Sequence, residues 1–189
     1  MRFQAELVTG PTAEPLTLSE AKKQLEIATS DATHDAHLQS AIVEARQQWE
    51  HDTDSVCCYQ TWKLRLPAIS DGLRLPKRPV QSITTLKYYD GANALQTWSS
   101  TNYQLHVNDL RLAYQVTLPA TSDRWDAWEV TYRLGYSQDG SLVPAIAKRA
   151  MLLILGYYFE NRDMMANEVI YNRKAYEDLV LRFMRSTYP

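Results

Sequence analysis

Glycine is scarce in this sequence, with six residues in a chain of 189, and the motifs that depend on glycine are missing. Neither G-x-x-x-x-G-K-[ST] nor G-x-G-x-x-G occurs, and the nucleophile motif G-x-S-x-G is also missing. Phosphate-binding loops need glycine because the backbone must approach the phosphate closely. These absences argue against the common nucleotide-binding classes and against hydrolases built on a serine nucleophile elbow.

Cysteine is nearly missing, since Cys57 and Cys58 are the only two and stand next to each other. Neighbouring cysteines rarely reach disulfide geometry with each other, and no third cysteine can pair with them, so a reducing compartment is expected. A thiol nucleophile with His51 or His106 is the alternative. Because no basic neighbourhood or known motif would lower the thiol pKa, buried structural cysteines are favoured.

No apolar run is long enough for a membrane span. Residues 150–159 form a stretch of ten uncharged, largely apolar residues, about half of the roughly 20 that a spanning helix needs. Residues 1–20 mix charge with proline instead of forming a secretory signal, so a non-secreted protein without a membrane partner is expected. A helix from Pro144 that is apolar on nearly all sides must be covered by its own domain or by a neighbouring subunit.

A basic stripe is also missing, although charge is unevenly divided. Residues 1–56 carry four Lys or Arg against ten Asp or Glu, whereas residues 57–189 carry sixteen against twelve. The acidic part fits a solvated face, head-to-tail association of identical subunits, or a surface that must not hold nucleic acid. A sequence-specific DNA-binding protein normally shows a basic stripe of phosphate-binding Lys and Arg, and no such stripe appears in this sequence.

Candidate metal and carboxylate sites are incomplete. His34 and His37 lie three residues apart, but no third or fourth ligand follows at a recognisable spacing, so both are expected at the surface. Asp123, Asp126 and Glu129 bracket two tryptophans at the start of a strand and are interpreted as loop charges. No pattern indicates an enzyme, a metal or a cofactor.

Helices are predicted at both ends of the chain. Thr17 and Glu20 have the spacing of a capping box and start the first helix, and the second runs over residues 34–52 with Leu38, Ile42, Ala45 and Trp49 on one face. The third is the apolar helix that begins at Pro144. A fourth covers residues 168–186, with a stripe of Ala175, Leu179, Val180 and Phe183.

Between the helices the apolar period changes from 3.6 to 2, which predicts five or six strands. The segments are YQTWKLRL, SITTLKYYD, NYQLHV, RLAYQVTL and AWEVTYRL, with a brief extended LRL after the first. Asp90 and Gly91 form a good hairpin turn. The predicted fold class is therefore α+β. Residues 1–56 and 141–189 form a discontinuous helical bundle, and residues 57–140 form an antiparallel β-rich insertion.

Aromatic residues are plentiful, with five Trp and twelve Tyr. Aromatic side chains are enriched at the buried centres of protein interfaces, so a self-association surface is favoured as a hypothesis. The alternative for any single aromatic residue is an ordinary place in the core.

Four segments, in this order and spacing, resemble the head-tail connector (adaptor) proteins of long-tailed bacteriophages. They are LTLSEAKKQLEI, YQTWKLRL, LRLPKRPVQSITTLKYYDGAN, and WEVTYRLGY continuing through VPAIAKRAMLLILGYYFENRD. The resemblance covers roughly residues 15–163, and LPKRPVQSI and YYFENRD are its sharpest marks.

The resemblance implies a structural virion protein without catalytic residues. Such proteins form a ring, usually of twelve copies, in the neck of the particle. The ring joins the portal protein to the stopper or tail-completion protein and leaves a channel through which DNA passes without specific binding. Assembly would take place in the host cytoplasm. In such relatives the C-terminal region often engages the portal, which by position would be residues 164–189 here.

Two sets of residues are predicted to serve this role. The subunit or portal interface comprises Tyr157, Tyr158, Glu160, Arg162, Asp163, Arg182 and Arg185, with Arg162 bridging to an acidic group of the N-terminal helices in the same or the adjacent subunit. The DNA channel or its rim comprises Glu44, Glu50, Asp52 and Asp54. A channel that lets DNA slide should avoid tight phosphate contacts.

Three alternatives stay open. A stopper or tail-terminator ring of the phage neck would also be mixed α/β and oligomeric. An enzyme of unknown type would need a polar cleft and activity in monomers. A DNA-binding regulator would be retained on DNA at about physiological salt.

Overall fold

The computed structural model describes residues 3–160 and 170–187, and it confirms the α+β class. The helices of this part are α1 (Leu18–Gln24), α2 (Asp35–Thr53), α3 (Ala145–Glu160) and α4 (Ile170–Thr187). The strands are β1 (Gln4–Thr9), β2 (Gln60–Leu66), β3 (Leu73–Arg74), β4 (Val80–Tyr89), β5 (Leu95–Thr97), β6 (Tyr103–His106), β7 (Asp109–Leu112) and β8 (Trp128–Leu134).

The chain divides into two compact units. The sheet unit comprises Met1–Pro11 and Tyr59–Tyr136, and the helical unit comprises Thr12–Cys58 and Ser137–Pro189. Strand β1 lies within residues 1–56, the range predicted for the helical part, and pairs instead with β2 in the sheet unit. The alternation in QAELVT is short and weakly apolar, and pairing with β2 decides its structure.

The larger sheet has the strand order β1-β2-β8-β4-β5 among the described residues, and all of its pairs are antiparallel. Because successive side chains of a strand point to opposite faces, Leu64 of β2 and Val130 of β8 lie on the same face of the sheet. Both are buried in the core, together with Leu86 of β4. On the opposite face, Arg65 of β2 binds Glu6 of β1 at 2.8 Å and Glu129 of β8 at 3.2 Å. This arginine therefore ties three adjacent strands together.

A smaller sheet has the order β3-β7-β6 within the described part. It contains the brief extended LRL segment and the strand predicted in NYQLHV. The strand predicted over RLAYQVTL ends early, at Leu112, and residues 113–118 lie outside any strand. Ala113 and Tyr114 lead into a turn in which Gln115 adopts a left-handed φ of 56°.

The helical unit brings α1, α2 and α4 against the apolar helix α3. The capping box is confirmed, because the backbone N–H of Glu20 donates to Thr17 Oγ1 at 3.1 Å and Thr17 N–H donates to Glu20 Oε2 at 2.7 Å. One side of α3 is fully buried, through Ala147, Ala150, Met151 and Leu155. Leu152, Leu153, Ile154, Tyr157 and Tyr158 are half-buried. Among the described residues, α3 is therefore fully covered on one side and partly covered on the other.

Within residues 3–160 and 170–187, no helix has both the length and the apolar character that crossing a bilayer requires.

Candidate functional site

The two predicted interface tyrosines lie at the C-terminal end of α3. Tyr157 and Tyr158 are half-buried, and their ring centroids are 5.8 Å apart. Burial raises the pKa of the Tyr158 hydroxyl, and the nearby carboxylates of Glu44 and Asp52 raise it further. Tyr158 therefore faces α2 of its own chain, and only its uncovered part remains for another subunit.

Of the other predicted interface residues, two are exposed, and three lie wholly or partly outside the described structure. Arg182 and Arg185 are exposed on α4, and Arg182 pairs with Asp178 one turn away at 2.8 Å. Glu160 is the last residue of α3, and its side chain lies outside the described structure. Arg162 and Asp163 also lie outside the described residues, so the Arg162 bridge stays a prediction.

Helix α4 is anchored on α2 by two contacts that the sequence analysis did not predict. The Tyr176 hydroxyl donates to Asp52 Oδ2 at 2.7 Å, and the rings of Trp49 and Phe183 meet edge to face with centroids 5.0 Å apart. Burial and this hydrogen bond raise the pKa of Tyr176. Asp52 thus positions α4 and is half-buried.

The predicted apolar stripe of α4 is partly wrong. Val180 and Phe183 are buried as predicted, but Ala175 is exposed and Leu179 is half-buried. Tyr176 takes the buried place because its ring can pack while its hydroxyl reaches a carboxylate. The spacing of four residues between Tyr176 and Val180 places both on one face of α4 and could have predicted that Tyr176 is buried.

Of the four predicted channel residues, two are open to solvent. Glu44 is exposed in the middle of α2, and Asp54 is exposed at its C-cap. Glu50 is 8% exposed and bound within the chain, so the structure places it in the interior and not on a channel wall. The acidic surplus of residues 1–56 predicts Glu50 at the channel or its rim, whereas its position on α2 turns its side chain inward.

Glu50 belongs to a buried polar cluster around Arg46. Arg46 Nε donates to Glu14 Oε2 at 2.7 Å, and Arg46 Nη1 donates to Glu50 Oε2 at 3.1 Å. Glu50 Oε1 accepts the backbone N–H of Cys57 at 2.9 Å. Burial opposes the charge on Arg46, but the two carboxylates outweigh it and raise the arginine pKa. The cluster joins the segment before α1 to the segment after α2.

The two cysteines lie beside this cluster, buried and not in a disulfide. Burial, with the Glu50 charge second, raises the pKa of Cys57 well above its ordinary value, and burial raises that of Cys58 to about 11. Both thiols are therefore protonated at neutral pH, which opposes a nucleophilic role.

The remaining candidate ligands do not converge. His34 and His37 flank the Phe159 ring at centroid distances of 5.5 and 5.8 Å. Asp126 binds Arg124 and Glu129 binds Arg65, so these two carboxylates serve separate ion pairs. No group of three or more His, Cys, Asp or Glu residues in the described part could hold a metal ion.

Replacing Gly140 by alanine should destabilise the helical unit by about 2 to 5 kcal/mol. Gly140 has a φ of +74°, and an added Cβ would lie 2.7 Å from the Pro15 Cα and 3.4 Å from the Cys58 sulfur. The nearest atoms belong to the backbone, which cannot move aside as easily as the end of a flexible side chain. Chemical denaturation measures the loss, and Gly91→Ala, where an added Cβ meets nothing within 4 Å, is the matched control. Equal stability of the two variants would contradict the packing described here.

The chain shares its fold with chains in solved structures of gene transfer agent (GTA) particles. A chain in the virion of a native GTA particle superposes with a TM-score of 0.77 at 22% identity, covering 95% of this chain and 94% of that chain. A chain in the neck of an empty GTA particle, computed with C6 symmetry, gives 0.72 at 21% identity, covering 92% and 94%.

A chain in the neck of a native GTA particle, computed with C12 symmetry, gives a TM-score of 0.68 at 22% identity, covering 97% of this chain and 94% of that chain. At such identities the likeness shows a common fold over nearly the whole of both chains. No protein-family model matches the sequence, and no curated protein matches it.

Proposed function

We propose that this protein is a structural subunit of the neck of a phage-type particle, where it forms a ring between the portal and the stopper or tail. The observation that carries this is the fold shared with GTA virion and neck chains over nearly the full length. The resemblance of four sequence segments to head-tail adaptors supports the same role independently of the fold comparison. The particle neck is its location after assembly.

A ring of twelve copies is part of the proposal. Its support is the symmetry of the GTA neck structures, which were computed with C6 and C12 symmetry. The incomplete cover of α3 adds physical support, because half-buried residues such as Leu153 and Tyr157 can be covered further by an adjacent subunit. In this proposal the helices form the bundle of the ring and the β-rich segment is an insertion into it.

A structural role, not a catalytic one, fits the chemistry of the described residues. The two thiols are protonated at neutral pH, and in the largely buried cluster around Arg46 the charged groups are paired with one another. Such a cluster fixes the packing of segments and offers no reactive group to a substrate.

Copurification with the portal protein of the same particle tests the adaptor role. A tagged portal should retain this chain in the absence of every other neck protein. Retention only after a different adaptor has been added would instead favour a stopper or tail-terminator ring. No retention in either case would overturn the neck proposal.

The DNA-facing surface is proposed to include the exposed side of α2. Its exposed residues are Ala36, His37, Gln39, Ser40, Glu44, Gln47 and His51. The one Lys or Arg of α2 is Arg46, which is buried and paired. A wall without free Lys or Arg holds no phosphate tightly, so DNA can slide along it.

Particles that carry Glu44→Lys should release DNA more slowly at about 50 mM salt and regain the normal rate at about 200 mM, because each new cation adds salt-sensitive phosphate affinity in every copy. Release of DNA from purified particles, followed by dye fluorescence, measures this. Glu26→Lys makes the same charge change at an exposed site outside α2 and is expected to have no effect. Equal slowing by both variants would show that α2 does not line the channel.

A further inference from the structure

The outer edge of strand β1 is open. In the larger sheet β1 pairs with β2 on one side, and no described strand pairs with its other side. Open edges present unpaired N–H and C=O groups, and proteins usually protect them with lysine, proline or a covering segment. Strand β1 contains neither lysine nor proline, and its one charge, Glu6, is bound by Arg65 at 2.8 Å.

Apolar side chains are uncovered along this edge. Phe3, which precedes β1, is 60% exposed, and Leu7 within β1 is 49% exposed and lies on the face where Leu7 pairs with Trp62 and Ala5 with Leu64. The apolar face of the sheet therefore extends as far as β1, its edge strand, and is exposed there. One more strand on β1 would cover these side chains and satisfy the edge hydrogen bonds.

Residues 113–118 are a strand-like segment without a sheet: they have the sequence of a strand, but none of the described strands pairs with them. The segment is AYQVTL, uncharged, with apolar Tyr114, Val116 and Leu118 alternating with Gln115 and Thr117. Tyr114 is 91% exposed and Leu118 is 40% exposed. Short segments with high β-propensity and no charge pair readily with open edges.

The conformation of Gln115 keeps this segment from being extended. Its φ of 56° lies in the left-handed region, which costs free energy in any residue other than glycine. Addition to a sheet edge would return Gln115 to an extended conformation and remove this cost.

We infer that residues 113–118 of one copy add as a strand to the β1 edge of the next copy. The inference rests on the proposed ring, in which each subunit joins unlike patches to its two neighbours. A second copy is the occupant because each chain carries both the open β1 edge and, in residues 113–118, a strand-like segment that no described strand pairs with. Neither patch carries an unneutralised charge that would repel the other.

Crosslinking in portal-bound complexes tests the contact. The variant with both Leu7→Cys and Leu118→Cys, treated with a short bis-maleimide, should give a ladder of multimers on a denaturing gel. The native thiols are buried and protonated, so they should not react. The variant with Leu7→Cys and Leu142→Cys is the control, because Leu142 is also exposed but lies in the helical unit.

Several outcomes would overturn the inference. A ladder from Leu7→Cys alone would indicate pairing of β1 with β1, and an internal crosslink alone would indicate that the segment reaches its own strand. Rings that form without a ladder would overturn this contact and leave the proposed function standing. Complexes that lack the protein would refute the proposed function itself.

Substitutions at Gln115 provide a second measurement. Gln115→Gly removes the cost of the left-handed conformation and should lower the crosslinking yield roughly fivefold or more. Gln115→Val disfavours that conformation and should raise the yield. The same yield from both variants would contradict the predicted change of conformation, even if the two segments are close.

Discussion

Replacing Arg46 by alanine should lower the free energy of unfolding by about 3 to 5 kcal/mol. The guanidinium is nearly buried between Glu14 and Glu50, which accept from it at 2.7 and 3.1 Å. Its removal takes the paired cation away from the buried Glu50 carboxylate, which also accepts the Cys57 N–H. A buried charge that loses its partner costs far more than the intact pair contributes. Urea denaturation measures the loss.

Arg182→Ala is the matched control, because Arg182 makes an ion pair of the same i, i+4 spacing at the surface of α4. It should cost about 0.5 kcal/mol or less. Changing Arg46 and Glu50 together to leucine should recover only part of the loss, because it removes the buried Glu50 charge but also takes the acceptor from the Cys57 N–H and the cation from the half-buried Glu14. A cost below about 1 kcal/mol for Arg46→Ala would contradict the burial of this cluster.

Replacing Trp49 by alanine should cost about 3 to 5 kcal/mol. Trp49 is fully buried on α2, and its ring packs edge to face against Phe183 of α4 at 5.0 Å. The cavity would therefore open where α4 docks, and α4 should lose protection first. Hydrogen exchange of the α4 amides, together with the denaturation midpoint, measures both effects.

The variant Trp49→Phe separates the contribution of ring packing to stability from that of the indole N–H, because phenylalanine keeps an aromatic ring and lacks the N–H. Trp49 Nε1 is buried without a hydrogen-bond partner among the described residues, so its loss should carry no penalty. Trp49→Phe should therefore cost less than half as much as Trp49→Ala. Trp125→Ala, at a 54% exposed site in the sheet unit, is the control and should change stability by about 0.5 kcal/mol or less. A loss of stability from Trp125→Ala as large as that from Trp49→Ala would contradict the difference in burial between the two tryptophans.

Local sequence signals predicted those elements whose cause is local. The Thr17 and Glu20 capping box starts α1, and the alternation in residues 128–134 gives β8. Strand β1 and the early end of β7 were missed because pairing with a distant strand decides them. Residues 113–118 have the composition of a strand, and no described strand receives them.

In the candidate site too, the features with a local cause could be predicted from the sequence, whereas those that depend on distant residues could not. The exposure of Glu44, Arg182 and Arg185 agrees with their polar places on predicted helices. The inward position of Glu50 depends on Arg46 and on the Cys57 N–H, and these lie together only after α2 and the following segment have packed. Tyr176 was missed because its partner Asp52 is 124 residues away in sequence.

Electron cryo-microscopy of particles that contain this chain is the most direct test of its role in a neck ring. The account predicts a closed ring, of about twelve copies, beneath the portal and around the DNA path, with α2 facing that path. An intact neck in which the chain is missing, or is present as single copies outside any ring, would contradict it.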